Sequence, residues 1–327
     1  MVGAENGWRA MLKLGFVVIL LGISGCQQWA WFKPIGSPLT PVMPETATLE
    51  EVIAKVNQEA SQIYSLKSSN ATVGGRAGGW PFPNLTANLA VERPHKFRLV
   101  GEIGLIGSRE VDLGSNDDLF WFWVRRNQPP AVYFCRHDDF AQSDIRRQFP
   151  IEPQWVIDSL GMAMLDPASR HQGPTPVGKG RLEIRTEVPG QSGTYQRVTR
   201  IDTYQGRIVE QHLYDQAGTL LASSLIQKYR QDAATGLHVP QNVELHWPPA
   251  ELVLKLDLGD VEVNRMTTAN SELWTLPEVP GFAPTNLAHL RLQPATPAAY
   301  VPRGQSPVDG QNPPTRIETI NRNFPPR

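Results

Sequence analysis

From Leu85 to Leu258 the sequence alternates apolar and polar residues, stretch after stretch, with a period of two. Leu85, Ala87, Leu89 and Val91 share one face while Thr86, Asn88 and Glu92 point away. Phe97, Leu99, Gly101 and Ile103 repeat the pattern against Lys96, Arg98 and Glu102, and Val111 and Leu113 against Glu110 and Asp112. A strand turns successive side chains to opposite sides, so this pattern predicts antiparallel strands with one wet face. Further strands are expected at 131–136, 180–188, 194–202, 207–214, 219–229, 241–247 and 251–263. The run Leu119 to Val124 (LFWFWV) is apolar on both faces, so both sides of that strand must be covered.

Two segments break the period. Thr48-Leu49-Glu50-Glu51 is a capping box, followed by Leu49, Val52, Ile53, Val56, Ala60 and Ile63 on one helical stripe. Residues 152–164 place Trp155, Val156, Leu160 and Met164 at helical spacing, with Pro153 suited to a first turn. A Pro/Gly loop to Gly178 follows. The expectation is a mainly β chain with helices (α+β), in which one large curved sheet carries the helices on its concave side. If that side is incompletely filled, it forms an apolar cavity.

The first 25 residues look like a processing signal. Arg9 and Lys13 precede Leu14 to Ile23, a run without charge that is too short to span a bilayer, which takes about 20 apolar residues. Ile23-Ser24-Gly25-Cys26 follows and resembles the lipobox of bacterial lipoproteins. The resemblance implies cleavage before Cys26, a diacylglyceryl group on its thiol and an N-acyl chain. An inner-membrane signal anchor is the alternative, and the short apolar run argues against it. Under the sorting rules of enterobacterial lipoproteins, in which Asp after the cysteine retains the protein at the inner membrane, the resemblance implies from Gln27 the periplasmic face of the outer membrane. Residues 26–47, with Pro34, Pro38, Pro41 and Pro44, are expected to form a tether, 48–282 the folded domain, and 283–327 a disordered tail in which nine residues are proline.

Net charge is −1 over 327 residues, so no basic excess points to nucleic acid. Cys26 and Cys135 are the two cysteines; with Cys26 acylated no intramolecular disulfide can form. Cys135-Arg136-His137-Asp138-Asp139 is the cluster most like a nucleophile or metal site. It lacks a second Cys/His pair at zinc spacing, and Cys135 is more simply a buried strand-end residue. The glycines at 74–79 lack the phosphate-loop spacing.

Three motifs carry a resemblance. They are Gly104-Leu105-Ile106-Gly107 feeding Ser108 to Leu113, Pro150 to Trp155 leading through Leu160-Gly161, and Pro240 to Leu245 followed by Val253 to Leu256. With the order of elements over 48–265 they resemble the Lol-type lipoprotein carriers and receptors (LolA/LolB-like). The resemblance implies an unclosed antiparallel β half-barrel capped by helices, no bond chemistry and no cofactor beyond the lipid on Cys26. Implied partners are acyl chains of lipoproteins or phospholipids, a periplasmic carrier and the membrane. Leu105 and Ile106 would then be a membrane-probing loop, at the position of the family's exposed leucine; a turn tucked under the sheet is the alternative. Candidate cavity-lining residues are Leu89, Phe97, Leu99, Phe120, Trp121, Phe122, Trp123, Trp155 and Leu160, and Trp80 and Phe82 form a second apolar loop. The competing function is a non-enzymatic envelope scaffold with the same fold and a filled core.

Overall fold

The computed structural model describes residues 40–289, apart from 105–106, 128, 143–151, 179 and 191–192. Cys26, the processing signal, Leu105, Ile106 and the chain from 290 onward lie outside the described residues. Everything below belongs to the unit that begins at Pro41.

The predicted capping box forms: Thr48 Oγ1 accepts from Glu51 N and Glu51 Oε2 accepts from Thr48 N at 2.8 Å. It starts helix α1 (Leu49–Ser61), which buries Val52, Ile53, Val56 and Ala60. Six strands follow: β1 (Ser65–Ala77), β2 (Trp80–Glu92), β3 (Lys96–Ile103), β4 (Ser108–Ser115), β5 (Leu119–Val124) and β6 (Ala131–Arg136). Short helices α2 (His137–Gln142) and α3 (Pro153–Ile157) come next, and α3 runs into a π-helical turn at Asp158–Met162. The chain then returns to strand: β7 (His171–Pro176), β8 (Arg181–Gly190), β9 (Gly193–Asp202), β10 (Arg207–Tyr214), β11 (Leu220–Gln231) and β12 (His238–Trp247). Last come β13 (Leu252–Asp257), β14 (Val261–Val263) and β15 (Ala283–Asn286).

All fifteen strands join one curved sheet that does not close. Two antiparallel meanders, β1 to β6 and β7 to β13, meet where β1 pairs β13. The free edges are β7 and β15, and β15 is parallel to β6.

Five boundaries differ from expectation. The strand expected at 251–263 divides at Leu258–Asp260, where Gly259 takes φ +55, and β14 continues along β1. The loop expected up to Gly178 contains β7, whose prolines suit an edge that need not donate hydrogen bonds. The helix expected at 152–164 kinks at Leu160 and Gly161. The tail expected from Ala283 begins as strand β15, and the expected tether is already part of the body by Met43, which packs with α1.

Both helical segments pack on one face of the sheet, the face of Leu89 and Val243. Trp155, Ile157, Leu160 and Met162 share a core with Val73, Leu89, Phe97, Leu99, Val243, Leu245 and Leu256. Helix α1 shares a second core with Leu182, Ile184, Ile201 and Ile208.

Candidate functional site

Strand alternation decides which predicted cavity residues meet. Leu89 pairs Leu99, Leu99 pairs Leu113, and Leu113 pairs Phe122, so these side chains stand in one row on the inner face. Phe97 lies two residues along, and Trp155 and Leu160 cover this face from above. Phe120 shares the face but packs in a separate cluster with Cys135, Phe140 and Leu287, and Phe122 packs partly against that cluster.

Trp121 and Trp123 point the other way. Trp121 Nε1 donates to Asp112 Oδ1 at 3.2 Å beneath the Arg98 guanidinium, and Trp123 meets Phe282 edge to face. They belong to the outer side, where Arg98 also donates to the carbonyl of Leu273 at 3.0 Å. The prediction that both faces of LFWFWV are covered holds. The strand's four aromatics divide between the two faces, Phe120 and Phe122 inward, Trp121 and Trp123 outward, because neighbours in a strand face opposite ways.

The inner face is filled, and the segment from Trp155 to Leu165 is what fills it. It makes no strand pairing. Polar contacts at its flanks hold it in place. Arg93, in the turn between β2 and β3, donates to the carbonyls of Ile63 (2.8 Å), Ala60 (2.9 Å) and Met162 (2.6 Å). One guanidinium thus ties the end of α1 to the segment, and burial pushes its pKa down against the opposing charge of Asp158. Asn57 of α1 exchanges two hydrogen bonds of 2.8 Å with the backbone of Leu165. Asp158 is 7 % exposed and pairs with Arg197 of β9 at 3.2 Å; that guanidinium lies over the Trp155 ring.

Gly161 sets the bend. Its φ is +83, and a Cβ there would lie 2.9 Å from Pro240 Cγ of β12. Only glycine takes this conformation and this proximity without strain.

Beside the segment lies a small, partly open cavity of about 20 Å³, lined by Val56, Glu59, Asp158, Arg207, Tyr229 and His238 among others. That is room for one water, against the roughly 300 Å³ or more of a ligand pocket. A larger hollow of about 360 Å³ includes Thr72, Asn84, Glu244, Lys255 and Asp257, whose polar side chains stand on the outer face. Its charged lining suits no acyl chain.

The other predicted sites are quickly placed. Cys135 is fully buried, and burial pushes its thiol pKa up, away from nucleophilic use. His137 Nε2 donates to the Asn116 carbonyl at 2.9 Å, tying a turn. Among the described residues no group of three or more His, Cys, Asp or Glu could hold a metal ion. Trp80 is 68 % exposed at the β1–β2 turn. Gly104 and Gly107 close the β3–β4 turn with a 3.3 Å hydrogen bond, but Leu105 and Ile106 between them are outside the described residues. Among the described residues no helix is long and apolar enough to cross a membrane.

Sequence reasoning missed Arg93, Asp158 and Arg197. A lone arginine beside a proline turn carries no local signal, and its partners lie up to 69 residues away.

No known family matches the chain, and no curated protein matches it. Solved structures do. A DUF1329 family protein from Desulfovibrio piger is 11% identical, with 67% of this chain and 93% of that one covered and a TM-score of 0.46. A LolA superfamily protein from Nitrosomonas europaea is 12% identical, with 68% and 97% covered and a TM-score of 0.43. A domain assigned to outer membrane lipoprotein sorting from Vibrio parahaemolyticus is 11% identical, with 68% and 93% covered and a TM-score of 0.45.

Proposed function

We propose that this protein is a lipid-anchored envelope protein that takes up acyl chains of lipoproteins or lipids and passes them to the outer membrane. In this reading the sheet is a LolA/LolB-like half-barrel capped by helices. The observation that carries it is the filler of the inner face: a short helical segment, held by side chains and not by strand pairing, covers the apolar side of the sheet, and in this reading an acyl chain takes its place. Displacement of the segment would uncover the apolar side chains of Val73, Leu89, Phe97, Leu99, Val243, Leu245 and Leu256.

The energies are comparable. Burying Trp155, Ile157, Leu160 and Met162 contributes about 1.5–3 kcal/mol each, roughly 6–12 kcal/mol together. An acyl chain of about fourteen methylenes contributes about 11 kcal/mol at roughly 0.8 kcal/mol per CH₂. Exchange of one for the other is therefore close to balanced, as a carrier that must also release its load requires. The remaining parts are Cys26, whose acyl chains hold the protein at the periplasmic face of the outer membrane, a periplasmic carrier as donor, and Leu105 and Ile106 as a loop that perturbs the bilayer.

A second reading has its own support. A cavity of only about 20 Å³ beside the segment fits a scaffold whose core is permanently filled. Gly161→Ala separates the two. The substitution strains φ and pushes the segment from Pro240, costing roughly 1–2 kcal/mol. A carrier predicts that the purified full-length protein binds a fluorescent fatty acid, and that the variant binds it several-fold more tightly while its circular dichroism stays β-type. No uptake by either folded protein selects the scaffold.

A further inference from the structure

The inner face carries a row of polar side chains that its alternation does not explain. Strand register sets Thr199 of β9 opposite Gln211 of β10, and Gln211 opposite Ser224 of β11. Apolar Ile184 and Leu245 continue the row at its two ends. Thr199, Gln211 and Ser224 are 0, 1 and 2 % exposed, yet Thr199 Oγ1, Gln211 Nε2 and Ser224 Oγ make no hydrogen bond among the described residues. Two residues along β9, on the same face, Arg197 Nε is also buried and unpartnered, as is the indole N–H of Trp155 beneath it.

Buried polar groups are ordinarily paired, and leaving one unpaired is costly. Four of these groups, on Thr199, Gln211, Ser224 and Arg197, stand on the sheet, and the fifth belongs to Trp155 of the segment itself; four unpaired groups on one face of the sheet mark a surface shaped for something other than that segment. Its chemistry is specific. Arg197 is a planar donor suited to phosphate or carboxylate, and Asp158 of the segment occupies it now. The hydroxyls and the amide N–H can donate to ester carbonyls.

We propose that the ligand is an acidic phospholipid. Its phosphate replaces the Asp158 carboxylate on Arg197, its ester carbonyls take hydrogen bonds from Thr199, Gln211 and Ser224, and its chains lie on the apolar rows. This rests on the acyl-binding reading above. It adds what that reading leaves open, the head group, and it makes Asp158 the internal stand-in that keeps Arg197 paired when the site is closed.

Native mass spectrometry of the detergent-solubilised full chain tests it with three probes: phosphatidylglycerol, the diacylglycerol of the same chains, and a triacylated cysteinyl peptide. The last two carry acyl carbonyls without phosphate. Phosphatidylglycerol should bind at least tenfold more tightly than either, and Arg197→Gln should erase that preference while acyl binding persists. Thr199→Val keeps the side-chain shape. It should weaken all three ligands several-fold while the thermal midpoint holds or rises, whereas a merely structural hydroxyl would leave binding unchanged. Equal binding of the three probes by the native protein, or a preference that survives Arg197→Gln, overturns the head-group site and leaves the acyl reading standing. So does full binding by Thr199→Val, the result expected if the row only holds ordered water. No binding of any probe overturns both.

Discussion

Arg93 joins three backbone carbonyls that belong to two different segments, the end of α1 and the inner-face filler. The Ala60 carbonyl already accepts from Ile63 N at 3.2 Å, so the guanidinium adds a charge-assisted bond at the helix end and links it to the backbone of Met162. Hydrogen bonds to a charged donor contribute roughly 1.5–3 kcal/mol each, partly offset here by solvent near the turn. Arg93→Gln is therefore expected to lower unfolding free energy by about 2–3 kcal/mol in urea titration. It should also loosen the filler, so that fatty-acid uptake rises as stability falls. A loss of stability with no change in uptake would make Arg93 a purely structural tie. Arg197 and Asp158 act at the same scale. Each alone carries no signal in sequence, and it is the fold that closes their sequence separation of 39 and creates the pair.

At the scale of elements, α1 sits over a cluster of ionisable groups, and the cluster makes its seat sensitive to acid. Burial and the nearby charge of Arg207 lower the pKa of His238, against the pull of Glu59. Burial raises that of Glu59, but the hydrogen bond from Lys55 and the charge of Arg207 outweigh it, so the net shift is downward. A group whose folded pKa is depressed contributes stability above its unfolded value and loses it as pH falls. The thermal midpoint should therefore fall in two stages on acidification: first below about pH 6.5 as His238 is forced to charge, then below about pH 4.3 as Glu59 is neutralised. His238→Gln should remove the first stage and keep the second, measured by thermal unfolding across pH. A midpoint flat from pH 7 to pH 5 in the native protein would contradict this account. The element boundaries show what local sequence can carry. The capping box at Thr48 and the alternation of β2 and β3 were legible because each is satisfied within a few residues. The division of β13 from β14 was marked only by a change of phase at Gly259–Asp260, where the apolar positions pass from Leu256 and Leu258 to Val261 and Val263. Strand β7 was hidden by its own prolines, which an edge tolerates.

For the whole molecule, the legible part was the open antiparallel sheet with helical segments on one side. The illegible part was what those segments do there. LFWFWV announced two covered faces, but only the register showed that Phe122 joins Leu99 and Leu113 while Trp121 and Trp123 turn to Asp112 and Phe282. Nothing in the local pattern at 199, 211 or 224 marked those positions as buried neighbours, since their nearness arises from three strands pairing. The central claim is that the filler at 153–165 and an acyl chain compete for one apolar face, and hydrogen exchange of the full-length protein with and without a saturating fluorescent fatty acid tests it most directly. The account predicts faster exchange in the amides of 155–165 on binding, with β1–β3 and β11–β13 unchanged or better protected. Binding of the probe with the filler's amides as protected as before would contradict it.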